Sequence, residues 1–180
     1  MNLLRLFILL FFVFSCSKKI DKEIYHIPLI KQDGSKFYWK DLNHFYKLVF
    51  FGYTYCPDIC PVALRTMDQT KMIVANKPLV LIFVTIDPQR DTPEQLTMYL
   101  SNFKSPIIGL TGNVEDLKIF YKYFNISFSI EKNHHHDQET YGYNHTPFIY
   151  FLSPEDEVIK TFPTGISSNT LSKEIIKYIN

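Results

Sequence analysis

Phe51 to Pro61 reads FGYTYCPDICP, and the apolar run leading into it, Leu48 to Tyr53, has no polar alternation. A continuous run of that length predicts a strand buried on both faces, as in a parallel sheet. Immediately after it stand Cys56 and Cys60, each followed by a proline, Pro57 and Pro61. Proline disfavours helix for the residue before it and suits the first position of a helix. The stretch therefore predicts a helix from Pro61 to about Val74, with Cys60 at its N-cap. Unpaired amides and the helix dipole favour negative charge there, so a lowered pKa and thiolate character are expected for Cys60. Two thiols at this spacing could form a disulfide, hold a soft metal, supply a nucleophile or simply pack.

Working outward, Ile24–Ile30 and Lys36–Trp39 flank Asp33-Gly34 and predict an N-terminal hairpin. Pro78 to Asp87 is a second apolar strand. Thr92-Pro93-Glu94-Gln95 has the form of a helix start, with Thr92 as cap and Gln95 as capping-box partner, and that helix is expected to reach Phe103. A short strand, Ile107–Leu110, precedes a helix capped by Asn113 and running through Tyr123. Residues 125–142 are polar, carry His134, His135 and His136, and predict a long irregular loop. Phe148–Leu152 and Val158–Phe162 flank a turn at residues 153–157, and a helix over Ser172–Ile179 closes the chain. This order predicts an α/β fold, a three-layer α/β sandwich with a mixed sheet. The cysteines fall at the strand end where such sheets place reactive groups.

The chain has 180 residues and a net charge of +1. Its length suits a single domain, and the scattered charges exclude an extended nucleic-acid surface. Residues 1–15 stand apart. One arginine precedes an unbroken apolar run, and the stretch from Leu3 to Ser15 reaches only roughly 20 Å as a helix against a bilayer core of about 30 Å. That is the length of a signal-peptide core. The run ends at Ser15-Cys16, which resembles a bacterial lipoprotein signal in which Cys16 becomes the lipidated first residue. An uncleaved anchor and a buried N-terminal helix are the alternatives. The expected organisation is signal peptide 1–15, tether 16–23 and domain 24–180, with the domain on the outer face of a membrane. In that oxidising compartment Cys56 and Cys60 remain as the only other cysteines.

Two thiolates suit Cu(I), whereas Zn(II) usually takes four ligands. A convergent histidine would strengthen the case for a metal. His26 and His44 belong to the N-terminal hairpin region and read as surface residues. The His134–His136 triplet reads as solvated loop, with auxiliary metal collection as the alternative. His145, in YNHTPF, directly precedes the third buried strand, at the same sheet end as the cysteines.

Four blocks together carry a resemblance: Gly52 to Pro61 (GYTYCPDICP), Val84 to Pro93 (VTIDPQRDTP), Gly109 to Gly112 (GLTG), and Tyr143 to Thr146 (YNHT) ahead of Phe148-Ile149-Tyr150. In order and spacing the chain resembles the SCO/SenC family of copper-binding, membrane-tethered thioredoxin-like proteins. The resemblance implies a thioredoxin-like fold and one copper held by Cys56, Cys60 and His145, as Cu(I) with Cu(II) as a second state. It implies a copper chaperone that delivers to subunit II of cytochrome c oxidase during assembly, at the periplasmic face of the bacterial inner membrane. Other copper carriers or thioredoxin-like reductants would be further partners. It also marks Asp87 as an outer-shell or partner-contact residue, against a plain turn role; Arg90 and Asp91 are expected to pair with each other at the surface. The chain departs from the family pattern at Asn144, where aspartate is usual, at Pro147 and at the histidine triplet. Pro147 falls where thioredoxin-like oxidoreductases carry a cis-proline, so a cis Thr146–Pro147 bond is an expectation favouring thiol chemistry. A thiol–disulfide oxidoreductase using Cys56 and Cys60 is the alternative function; a peroxide-reducing enzyme and a purely structural disulfide stand behind it.

Overall fold

The computed structural model describes residues 22–133, 140–145 and 147–179, with only the backbone for residues 22, 131–133, 140 and 145. The expected signal peptide, Cys16, the histidine triplet and the Thr146–Pro147 bond lie outside the described residues.

The strands are β1 (Pro28–Lys31), β2 (Lys36–Tyr38), β3 (Tyr46–Gly52), β4 (Leu79–Thr85), β5 (Ile107–Thr111), β6 (Phe128–Asn133), β7 (Thr140–His145), β8 (Phe148–Leu152) and β9 (Val158–Pro163). The helices are α1 (Ile59–Ile73), α2 (Pro93–Leu100), α3 (Val114–Tyr123) and α4 (Ser168–Ile176). Seven strands form one sheet in the order β2-β1-β5-β4-β3-β8-β9. The centre is parallel, β3 with β4 and β4 with β5, and the flanks are antiparallel. The two unalternating apolar runs became β3 and β4, in register from Tyr46 opposite Leu79 to Gly52 opposite Thr85.

Strand alternation sorts the layers. Phe50 and Phe83 stack on each other on the face where Gly52 meets Cys60 of α1 and Phe83 meets Tyr99 of α2. Phe51 points the other way, onto Tyr121 of α3 and the adjacent Phe124. Trp39, fully buried, closes on Phe120 and Phe124 from the same side. Helix α4 packs on α1. The result is the expected thioredoxin-like α/β sandwich with a mixed sheet and an N-terminal β1–β2 hairpin.

Several elements differ from expectation. Ile24 lies in a 3-10 turn, Lys22–Tyr25, ahead of β1; it is buried, so its apolar character serves the core rather than a strand. Helix α2 stops at Leu100. Helix α4 begins earlier than Ser172, because Ser167 accepts a hydrogen bond from the Thr170 amide and Leu171 and Ile175, one turn apart, are both buried. The largest difference is at Phe128–Asn133 and Thr140–His145, which pair as a separate two-stranded sheet, β6 with β7.

At the far end of β3, Lys47 and Asp156 form a fully buried ion pair at 2.6 Å. The ammonium also donates to the carbonyls of Ser153 and Pro154, and Tyr25 donates to the other carboxylate oxygen.

Candidate metal centre

After Gly52 the chain turns through residues 53–58, with the Cys56 amide bonded to the Tyr53 carbonyl at 3.2 Å, and enters α1 at Ile59. Asp58, not Cys60, is the N-cap, and its side chain makes no capping hydrogen bond. Cys60 is the second residue of the helix. Its amide donates to the Cys56 sulfur at 3.4 Å, so that sulfur takes the place of a capping oxygen. Pro61 then sits in the first turn, where its missing N–H costs nothing.

The expected thiolate at Cys60 is overturned. Cys60 is fully buried, and its thiol is pushed up, first by its hydrogen bond with Cys56, then by burial and by charge on Cys56; a backbone hydrogen bond from Tyr53 opposes this. The hydrogen bond with Cys56 and, after it, burial outweigh the helix mouth, since a sulfur enclosed by protein loses the solvation its charged form needs. The enclosure is tight: a Cβ built on Gly52 would lie 2.7 Å from Cys60 Sγ. Cys56 is partly exposed, and the two sulfurs are not joined by a disulfide.

The turn after β4 supplies two buried carboxylates with different duties. Asp91 is fully buried. It accepts from the Thr54 amide, from Thr54 Oγ1 at 2.6 Å and from Thr85 Oγ1 at 2.5 Å. It therefore ties the cysteine loop to the end of β4, and the expected surface pair with Arg90 does not form. Arg90 bonds Asp87 instead. Asp87, also fully buried, accepts from the Tyr141 and Tyr143 hydroxyls at 3.1 and 3.3 Å. Both phenols are raised above their ordinary pKa, by burial and then by the Asp87 charge, which keeps them protonated as donors.

His145 is the last residue of β7, opposite Phe128 of β6. β7 reaches the cysteine loop through Tyr53, whose hydroxyl accepts from the Tyr143 amide at 3.2 Å and whose ring meets that of Tyr143. Gly142 allows the approach, since a Cβ there would meet the Tyr53 hydroxyl at 3.3 Å. The backbone carrying His145 is thus docked beside the loop carrying Cys56 and Cys60. The imidazole is outside the described atoms; among the described residues, no three His, Cys, Asp or Glu side chains gather closely enough to hold a metal.

The chain as a whole has relatives. The family model described as SCO1/SenC matches residues 21–180. The chain belongs to the SCO1/SenC family. It is 36% identical over 153 residues to protein sco1 of Schizosaccharomyces pombe, covering 83% of this chain and 58% of that protein, so it spans little more than half of that relative's length. It is 37% identical over 153 residues to a SCO2-like protein of Rickettsia typhi, covering 84% of this chain and 73% of that protein. Among solved structures, ScoI of Bradyrhizobium japonicum with copper bound superposes with a TM-score of 0.76 at 26% identity, covering 84% of this chain and 96% of that one.

Sequence reasoning missed the tyrosines. Tyr53, Tyr55 and Tyr141 lie against the Arg90 guanidinium, with Tyr143 beside Tyr141, and only the period-two spacing of Tyr141 and Tyr143 signalled a strand rather than a loop.

Proposed function

We propose that this protein is a copper chaperone that holds Cu through Cys56, Cys60 and His145 and delivers it to the subunit II copper centre of cytochrome c oxidase during assembly. The observation that carries the reading is the docking of β7, through the Tyr143 amide and the Tyr53 hydroxyl, against a loop bearing two thiols. Copper in the Bradyrhizobium relative of the same family supports it. Cu(I) is the soft ion two sulfurs prefer, and Cu(II) is the state in which an added imidazole matters most. Loading releases thiol protons, and the raised Cys60 thiol extends that release to higher pH. Asp87 acts as an outer-shell residue through the tyrosines of β7. Cys16 carries a lipid that tethers the domain at the periplasmic face of the inner membrane, and no helix of the described residues is long and apolar enough to cross a membrane. Other copper carriers or thioredoxin-like reductants would load or reduce it.

A second reading, a thiol–disulfide oxidoreductase, is favoured by one asymmetry: Cys56 is partly exposed and Cys60 buried, as an attacking and a resolving thiol would be. An anaerobic Cu(I) titration of the reduced protein against a competing chelator separates the two. One tight equivalent, lost in Cys56→Ala and in Cys60→Ala and recoordinated in His145→Ala, is the expected result. Binding no tighter than in the cysteine-free chain would overturn the chaperone reading.

A further inference from the structure

We infer that Arg90 and Asp87 form a latch that sets β7, and with it His145, in register against the Cys56–Cys60 loop. This rests on the metal site proposed above, for which both are positioning residues.

The hairpin needs such a device. β6 and β7 form a sheet of their own, not continuous with the seven-stranded sheet, and a two-stranded hairpin has little stability of its own in water. Its position is set by side chains. Phe128 packs on Tyr121 and Tyr143, which anchors the hairpin as a whole but is non-directional.

Direction comes from Arg90. Its guanidinium lies 3.7 Å from the ring centre of Tyr141 on β7 and 4.9 Å from that of Tyr55, the residue before Cys56. It therefore joins a ring of the hairpin to a ring of the cysteine loop, with Tyr53 at 5.8 Å behind them. The same group donates from Nη1 to the Tyr141 carbonyl at 3.0 Å and from Nε to Asp87. Asp87 in turn accepts from the hydroxyls of Tyr141 and Tyr143. One ion pair thus holds β7 by a backbone carbonyl and two side chains, and touches the loop by aromatic faces. These directional, charge-assisted bonds fix a register that packing alone leaves loose. A lysine could keep the charge opposite Asp87, but it has no planar fork to bond Asp87 and a carbonyl while lying on two rings.

The test uses the full chain in detergent with Cys16→Ser, so that the loop thiols are the only thiols. Hydrogen exchange is followed over residues 140–145 and, as control, over β3, and Cu(II) absorption and paramagnetic resonance spectra are recorded after loading. Arg90→Gln and Arg90→Lys should each speed exchange over 140–145 by about tenfold or more while β3 is unchanged, and should move the Cu(II) spectrum toward that of His145→Ala. Tyr141→Phe, which keeps the ring and the carbonyl and loses only the hydroxyl bond to Asp87, should speed exchange over 140–145 less than either Arg90 variant does. Wild-type protection of 140–145 in Arg90→Lys, exchange that rises equally in β3, or a wild-type copper spectrum where His145→Ala differs would each overturn the latch. If exchange rises over 140–145 alone while wild type and His145→Ala share one copper spectrum, the latch stands and the ligand reading of His145 falls.

Discussion

Gly52→Ala tests how tightly the Cys60 sulfur is enclosed. The added Cβ would stand 2.7 Å from Cys60 Sγ, 2.9 Å from Phe50 Cε1 and 3.1 Å from Phe83 Cε2. All three side chains are fully buried, and the two rings stack on each other, so neither can swing into solvent. Overpacking of this kind costs about 1–3 kcal/mol, and replacing glycine inside a strand returns roughly 0.5–1 kcal/mol. The midpoints of those two ranges leave a net loss of about 1 kcal/mol. At roughly 2–4 °C per kcal/mol for a domain of this size, Tm should fall by about 2–4 °C. The cysteine is the smallest of the three neighbours, so it should yield first, and the displaced sulfur should weaken Cu(I) binding by about tenfold, equivalent to roughly 1.4 kcal/mol. Thermal unfolding of the reduced protein and a chelator-competition titration read the two effects. Gly165→Ala is the control, since a Cβ there meets nothing within 4 Å. A Gly52→Ala protein with wild-type Tm and wild-type Cu(I) affinity would refute the idea that the end of β3 holds Cys60 in place.

Two further outcomes follow from buried charges. Lys47→Met should cost about 3–5 kcal/mol in denaturant unfolding, because it strands Asp156 in the interior, and adding Asp156→Asn should recover part of that loss; a single mutant within about 1 kcal/mol of wild type would show that the pair is dispensable. The pKa of Asp91 is shifted in the opposite direction from that of a carboxylate paired with a cation. Burial raises its pKa, against the lowering effect of its bonds to Thr54 and Thr85, so the folded chain holds the proton more tightly than the unfolded one. Its contribution is therefore full below about pH 4, the unfolded value, and is lost as pH rises through the raised folded value. The Tm of wild type relative to Asp91→Asn should fall as pH is raised from 4 to 7, and a difference that grows in favour of wild type would refute the assignment.

What was legible in the sequence was what depends on local pattern. Phe148–Leu152, the Asn113 and Thr92 caps and the two buried central strands need only apolar runs and capping residues, and each stands where its pattern put it. Cys60 was misjudged by two positions of helix start and, with larger effect, by burial. Proline preference located the helix mouth, but the protonation of a thiol there depends on whether the sulfur faces water or Gly52, and that is decided by the packing of β3. Phe128–Asn133 and Thr140–His145 were misread as loop because the neighbouring charges and histidines concealed a period-two strand pattern whose aromatic face packs on a neighbour rather than into the main core.

The turn at residues 87–91 shows why the site could be suspected from the sequence but not assembled from it. The backbone amides of Arg90 and Asp91 both bond the Asp87 carbonyl, and this tight turn sends the two carboxylates to different neighbours. Asp91 goes to Thr54 of the cysteine loop; Asp87, with Arg90, goes to the tyrosines of β7. Read as a string, Asp-Pro-Gln-Arg-Asp offers Arg90 an acid on either side, and the adjacent one is the natural choice. Folding reverses that choice, because the Thr54 amide and the hydroxyls of Thr54 and Thr85 satisfy Asp91 without a cation, leaving the guanidinium to Asp87. The loop with the thiols and the strand with the histidine are therefore referenced to one rigid turn at the end of β4. Any perturbation of that turn should alter the spacing of sulfur and imidazole before it alters either group itself.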